Sequence, residues 1–246
     1  IQNRFQESIN MFTKIIGIDI NFEDAYKNLA LIYCDIGKMN EAQKCFEKLL
    51  KLKPNNDIYK INNYLLLKPI YKSLKEIDFY RENFNNNLNQ LKKIKYKTEQ
   101  PGSEIEINFF YLAYHNKNNL ELMKKLSKIF REIIPSINYT SNNISKDKGK
   151  KRIKIAFISE YFTDHTISKL FKGFIKNINR NKFEVIIFRT INDDKSIIKK
   201  EVEESVEKII NLKDKISEQQ KQIENENLDI IFYPDIGMSG KTYFLS

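Results

Sequence analysis

The run Lys154–Lys172, KIAFISEYFTDHTISKLFK, holds one of the chain's two histidines, His165, in a short polar turn between a strand-like apolar segment and a helix-like one. In an open α/β sheet the crevice beyond the carboxyl ends of the strands gathers ligands, because loops and helix N-termini converge there. His165 is therefore a candidate for chemistry. Around it stand Asp164, Thr166 and Ser168, residue types that start helices, and the backbone N–H groups of such a start favour a nearby anion. The same placement suits a histidine that only caps the helix. Further on, the last strand-like run enters PDIGMSG, where Gly237 and Gly240 permit either positive φ or close backbone approach.

The elements that must position these residues follow from the pattern beyond Lys151. Strand-like runs cover Ile153–Ser159, Phe183–Arg189 and Asp229–Tyr233, with a shorter one at Ile209–Leu212. Helix-like runs cover Ile167–Ile178, Lys195–Lys208 and Lys213–Asn225. This alternation predicts a parallel sheet with right-handed crossovers, as in one half of a nucleotide-binding fold. About ninety-five residues do not complete two such domains.

The N-terminal part carries a repeat. Sliding the sequence by 34 residues brings Ser8 and Phe12 onto Ala42 and Phe46, and that period is the tetratricopeptide one. The fuller copy spans Glu23 to about Asn56, with Tyr26, Leu29, Ala30, Tyr33, Gly37, Ala42, Phe46 and Pro54 in the large, small, aromatic and breaking positions. Small Ala30 and Ala42 let two antiparallel helices approach, and Pro54 stops the second. Asn28 lies on the first helix, where a carboxamide can donate to and accept from an extended peptide. Asn62 recurs one period later; in a chain so rich in asparagine, either residue also reads as plain surface.

Between the two regions, YLLLKPIYKSLKEIDFYRENFNNNLNQL predicts a helix broken at Pro69 and a second one striped by Leu74, Ile77, Tyr80, Phe84, Leu88 and Leu91. A polar break, KTEQPGSE, precedes FYLAYHNKNN, whose His115 reads as a capping or structural histidine. Leu120–Ile134 is an amphipathic helix ended by Pro135. The expected organisation is repeats over 1–62, a helical connector over 63–136, a linker over 137–151 and an α/β region over 152–246.

Composition narrows the classes. The chain has 246 residues, 41% of them apolar, enough for real cores. No apolar run approaches the ~20 residues of a bilayer span, and IQNRFQES lacks a signal peptide's design, so a soluble cytoplasmic protein is expected. Cys34 and Cys45 share one helical segment without ligand-like spacing, so they read as small buried side chains and no metal is expected. A net charge of +10 invites nucleic acid, but the lysines are scattered among acids and asparagines instead of forming a patch with aromatics. Nucleic acid is therefore not an expected partner.

Taken in order, the repeat, KPIYKSLKEIDFYRENF, FYLAYHNKNN, IKIAFISEYFTDHTISKLFKGFI, NKFEVIIFRT and LDIIFYPDIGMSGKTYFLS resemble the protein O-linked N-acetylglucosamine transferases, glycosyltransferase family 41, and more closely their bacterial SPINDLY-type members. The resemblance implies tetratricopeptide repeats followed by the N-terminal, Rossmann-like lobe of a two-lobed GT-B catalytic region. That lobe is incomplete here, and the lobe with most nucleotide-sugar contacts lies outside the chain. It implies inverting transfer of N-acetylglucosamine from UDP-GlcNAc to Ser or Thr hydroxyls, no metal or other cofactor, and a protein acceptor held by the repeats. On this resemblance His165 matches the family histidine proposed as catalytic base, and Thr166, Lys169, Gly237 and Gly240 join Asn28 as candidate substrate contacts. The chain departs at Tyr161 and Thr163, where many relatives carry Asp and Arg, and at Lys169, where some carry a second histidine. Taken alone, the chain is expected to show little or no catalysis. The competing reading is a tetratricopeptide scaffold with a non-catalytic α/β lobe.

Overall fold

The computed structural model describes residues 2–106, 108–144, 152–190 and 194–246. The chain forms two compact units, 1–97 with 104–135, and 98–103 with 136–246.

In the first unit α1 (Gln2–Ile18), α2 (Glu23–Asp35), α3 (Met39–Leu52) and α4 (Asp57–Tyr64) follow one another through short turns. Ala30 and Ala42 are fully buried, as close helix packing requires, and Phe46, Leu49, Leu29 and Tyr59 fill the core with Ile9 of α1. Gly37 takes φ +75° just after α2, and Lys38 N–H returns to Tyr33 O at 2.8 Å, an end that a side chain at position 37 would strain. Cys34 and Cys45 are free and buried, and burial pushes their thiols up to about 12 and about 11. They are packing residues, not nucleophiles.

The helix expected to run up to Pro69 ends at Tyr64 instead. The residue before a proline disfavours the helical region, and Leu65, Leu67 and Lys68 are buried as a non-helical connector. α5 (Leu74–Leu91) begins with Ser73 capping Glu76 N–H, and Phe84, Leu88 and Leu91 bury its inner stripe. Leu74, assigned to that stripe by its spacing, is 71% exposed because it sits in the first turn beyond the packed face. A four-residue helix, α6 (Pro101–Glu104), a 3-10 turn at Phe109–His115 and α7 (Leu120–Ile133) complete the helical part.

His115 ends the 3-10 turn and is 1% exposed, with Asn116 in the left-handed conformation after it. Arg81 Nη1 lies 3.3 Å from its Nδ1. A guanidinium only donates, so Nδ1 accepts and Nε2 keeps the proton, without a hydrogen-bond partner, while the Tyr71 ring stands perpendicular at 4.6 Å. Burial, then Arg81 and Lys117, depress its pKa to about 4. Between pH 4 and an unfolded value of about 6.5 the unfolded chain binds the extra proton. Stability of this unit should therefore fall as the pH drops through that window, by up to about 1.4 kcal/mol per pH unit from this group. Denaturation of wild type and His115→Gln at stepped pH checks this; equal slopes would remove His115 as the source.

In the second unit β1 (Ile153–Ser159), α8 (Thr166–Asn177), β2 (Phe183–Arg189), α9 (Ile197–Glu203), β3 (Lys208–Asn211), α10 (Ile216–Asn225), β4 (Ile230–Phe232) and α11 (Gly240–Leu245) alternate. The sheet is parallel with order β3-β2-β1-β4, and β1 pairs β2 along its length, from Ile153↔Phe183 to Ser159↔Arg189. Alternate side chains serve two cores. Ile155, Phe157, Val185 and Ile187 pack with Phe162, Ile175 and Val202; Ala156, Ile158, Ile186 and Phe188 pack with Leu212 and Ile223. Burial on both faces is why these strands read as unbroken apolar runs.

α9 is shorter than the spacing suggests, since the chain must turn at Ser205 for Lys208–Asn211 to join β2. β4 is an edge strand whose three residues are each more than a third exposed. The polar break KTEQPGSE is partly structural: Glu99 O accepts from Ile216 N–H at 2.8 Å, and Thr98 O accepts from Ser136 Oγ at 2.6 Å. Residues read as linker are anchored up to Asn143 by Glu224, which accepts from Tyr139 Oη at 2.5 Å, Asn142 N–H at 2.7 Å and, through its backbone O, Asn143 Nδ2 at 2.8 Å. The rest of that stretch, 145–151, lies outside the described residues. Among the described residues no helix is long and apolar enough to cross a membrane.

Candidate active site at the reversal of strand order

The chain steps outward from β1 to β2 and β3, then returns to the other side of β1 for β4. Such a reversal parts the two loops that leave β1 and β4 and opens a crevice at their carboxyl ends. The loop after β1 carries Glu160 to His165, and the loop after β4 carries Asp235 to Ser239.

His165 is the N-cap residue of α8, and its Nδ1 accepts from Ile167 N–H at 3.2 Å. Tyr161 stacks on the imidazole at 4.3 Å with the planes 26° apart, and its hydroxyl donates to Met238 O at 3.1 Å across the crevice. The ring is thus fixed by a cap and a stack, and half-buried. With Nδ1 accepting, the neutral imidazole carries its proton on Nε2. In this conformation His165 is a hydrogen-bond donor.

Of the other residues singled out by sequence, Thr166 is exposed in the first turn of α8. Lys169, on the same helix, pairs with Asp164 at 2.9 Å with both side chains more than half exposed, a contact worth under about 1 kcal/mol and easily given up to a ligand. Gly237 takes φ +85° in the turn closed by Met238 N–H to Asp235 O at 2.9 Å. Gly240 meets backbone instead of open space: a Cβ there would lie 2.6 Å from Gly102 O. Its small size serves the seat of α11 on residues 98–103. Asn28 belongs to the first unit, exposed on α2, with its amide donating to Asp24 O at 2.7 Å within its own helix. The four residues of the second unit thus flank one crevice or its walls, and Asn28 is not among them.

Asp235 is the residue that sequence reasoning missed. It is 1% exposed, accepts from Glu160 N–H at 3.2 Å through Oδ2, and leaves Oδ1 without a hydrogen-bond partner. Burial raises its pKa, opposed by the Glu160 N–H and the nearby Ser159 and Thr242 hydroxyls. Beside it Glu160 accepts from Ser239 Oγ and pairs with Lys241 at 3.1 Å. An acid in the turn that follows a strand is the only signal the sequence offered. A separate cavity of about 360 Å³ lies beyond β2 and β3, lined in part by Thr190, Lys213, Asp214, Gln219 and Lys241, and does not include His165. Among the described residues no three His, Cys, Asp or Glu side chains gather as metal ligands would.

The arrangement offers an imidazole N–H, a helix start and exposed Lys169 on one wall, and a buried carboxyl on the other. Such a crevice can orient a hydroxyl and meet anionic oxygens.

Comparison with known proteins bears on the family and the fold. The tetratricopeptide repeat profile matches residues 23–56. Over 98% of its length the chain resembles the solved structure of a variant of the Thermobaculum terrenum O-GlcNAc transferase, at a TM-score of 0.60 and 12% identity. It spans 44% of that chain. The structural maintenance of chromosomes protein 3 homolog of Plasmodium falciparum is 27% identical over 234 residues, 92% of this chain but 18% of that protein. The profile of glycosyl transferase family 41 matches residues 114–242, more than half of the sequence and the whole His165 crevice. The chain belongs to glycosyl transferase family 41.

Proposed function

We propose that this chain is part of an enzyme that transfers N-acetylglucosamine from UDP-GlcNAc to Ser or Thr hydroxyls of proteins, and that its repeats hold the acceptor protein. The observation that carries this reading is the family match over 114–242 together with His165 standing, capped and stacked, where strand order reverses. In the reaction the acceptor oxygen attacks the anomeric carbon, the bond from that carbon to the diphosphate oxygen breaks, UDP departs with the electron pair, and the hydroxyl proton must leave. An inverted anomer results.

His165 is the group assigned to that proton. Its cap imposes a condition: Nε2 accepts a proton only if Nδ1 carries one, and Nδ1 then releases Ile167 N–H. The freed N–H, at a helix start, is assigned to a diphosphate oxygen of the donor, since such a start favours an anion. Thr166 and Lys169 are assigned to the donor's phosphates, Gly237 to the wall of the crevice, and Gly240 to support behind it. Asn28 is assigned to the acceptor backbone. No metal ion is needed in this scheme, the protein working in the cytoplasm on proteins and a nucleotide sugar.

The test is UDP release by the full-length protein from UDP-GlcNAc, beside UDP-glucose and UDP-galactose, with and without EDTA. The proposal expects release from UDP-GlcNAc to exceed the other two by at least about tenfold, unchanged by the chelator. Equal rates for all three sugars would remove the donor assignment, and loss of release in EDTA would remove the metal-free scheme.

A further inference from the structure

Asn62 of α4 already holds a segment of its own chain. Asn62, one period after Asn28, is 2% exposed, and its carboxamide is spent on residues 104–106 of the same chain. Nδ2 donates to Glu104 O at 3.1 Å, and Oδ1 accepts from Glu106 N–H at 3.2 Å. This two-point contact, to one carbonyl and the N–H two residues later, holds the backbone where the chain leaves α6, and the side chains on either side of it add the preference for sequence. The residue between them, Ile105, is 1% exposed, and the Glu106 carboxylate reaches back to Lys27 of α2 at 2.6 Å. Beyond it Tyr111, its phenol raised first by burial, also feels the charge of Asp35 at the far end of α2. The segment thus meets α4 at Asn62 and α2 at Lys27.

We propose that Glu104–Glu106 is an intramolecular ligand of Asn62: it closes the Asn62 position to partners, and displacing it opens a site for an extended peptide that places an apolar residue before an acidic one. Two features favour a displaceable ligand over a fixed wall. The hydrogen bonds are side chain to backbone and do not belong to a sheet, and the Lys27–Glu106 pair is only part-buried, with a quarter or more of each side chain exposed. A tethered segment needs little affinity to win, because tethering places it at about millimolar effective concentration. The proposal concerns binding alone, so it stands or falls apart from the transfer reaction.

The experiment uses a labelled peptide with the sequence of residues 102–110, GSEIEINFF, added to the full chain, with binding read by fluorescence anisotropy. Wild type should bind it at least about tenfold more weakly than the released variant Ile105→Asp/Glu106→Lys, in which the tethered copy cannot seat. Adding Asn62→Ala to the released variant should lower affinity at least about tenfold again. A released variant that keeps its helical circular dichroism yet ignores the peptide overturns the proposal. So does binding untouched by Asn62→Ala, or equal binding of a scrambled peptide. Should the released variant not fold, Glu106→Lys alone decides the matter: it breaks the part-buried ion pair with Lys27 and leaves Ile105 in place, and peptide affinity no higher than wild type overturns the proposal equally.

Discussion

Replacing His165 by alanine in the full-length protein should lower transfer by about 10²–10⁴-fold, the range a positioned proton-transfer group contributes. Alanine removes two things at once, the imidazole and the cap on Ile167 N–H, and the lost cap alone costs about 1 kcal/mol of stability. His165→Asn separates them. Asparagine is a good N-cap, so its folded stability should stay near wild type, but its carboxamide cannot take up a proton at neutral pH. If His165 handles the acceptor proton, both variants lose activity alike while only alanine lowers the melting temperature. If His165 merely shapes the start of α8, asparagine restores activity to within a few-fold of wild type, and the assignment fails.

The second large effect concerns two glycines far apart in the sequence. A Cβ on Gly102 would lie 2.6 Å from Lys241 Cα and 2.7 Å from Lys241 N, and one on Gly240 would lie 2.6 Å from Gly102 O. These are backbone atoms, so no side chain can rotate aside. Gly102→Ala and Gly240→Ala should each destabilise the α/β unit by about 3 kcal/mol, the upper end for overpacking, and lower its melting temperature by about 10 °C. Gly173 is the control. It lies within α8 with nothing within 4 Å of a Cβ, so Gly173→Ala should raise stability by up to about 1 kcal/mol. Thermal denaturation of the three variants gives the signs directly; a neutral Gly102→Ala would mean that residues 98–103 do not seat against α11.

What could be read from sequence divides along physical lines. β1 and β2 were legible to the residue because burial on both faces writes an unbroken apolar run, and the repeat was legible because Ser8 and Phe12 recur in kind as Ala42 and Phe46 one period later, with small Ala30 where the helices pack closely. Leu74 misled because helical spacing reports a face and not where that face stops being covered. β4 and α9 were blurred at their ends, where three exposed residues and a seven-residue helix carry little periodicity.

The site followed the same division. His165 stood out because a strand, a turn and a helix bracket it, yet the cap that fixes its tautomer depends on ring orientation, which no spacing encodes. PDIGMSG announced two glycines with two possible uses, and the structure gives one to each: positive φ at Gly237, close approach at Gly240. Asp235 stayed hidden because its burial arises only when β4 returns beside β1. Asn62 was weighed as plain surface; its partners at 104 and 106 are neighbours in space and not in sequence.

The most direct test is to give the full-length protein UDP-GlcNAc and a serine-containing protein acceptor, and to weigh the acceptor by mass spectrometry with the modified residue mapped. The expected product carries one added N-acetylhexosamine on a Ser or Thr oxygen, formed by wild type and nearly absent with His165→Asn. An unmodified acceptor in the presence of wild-type protein that binds both UDP-GlcNAc and the acceptor would contradict the account.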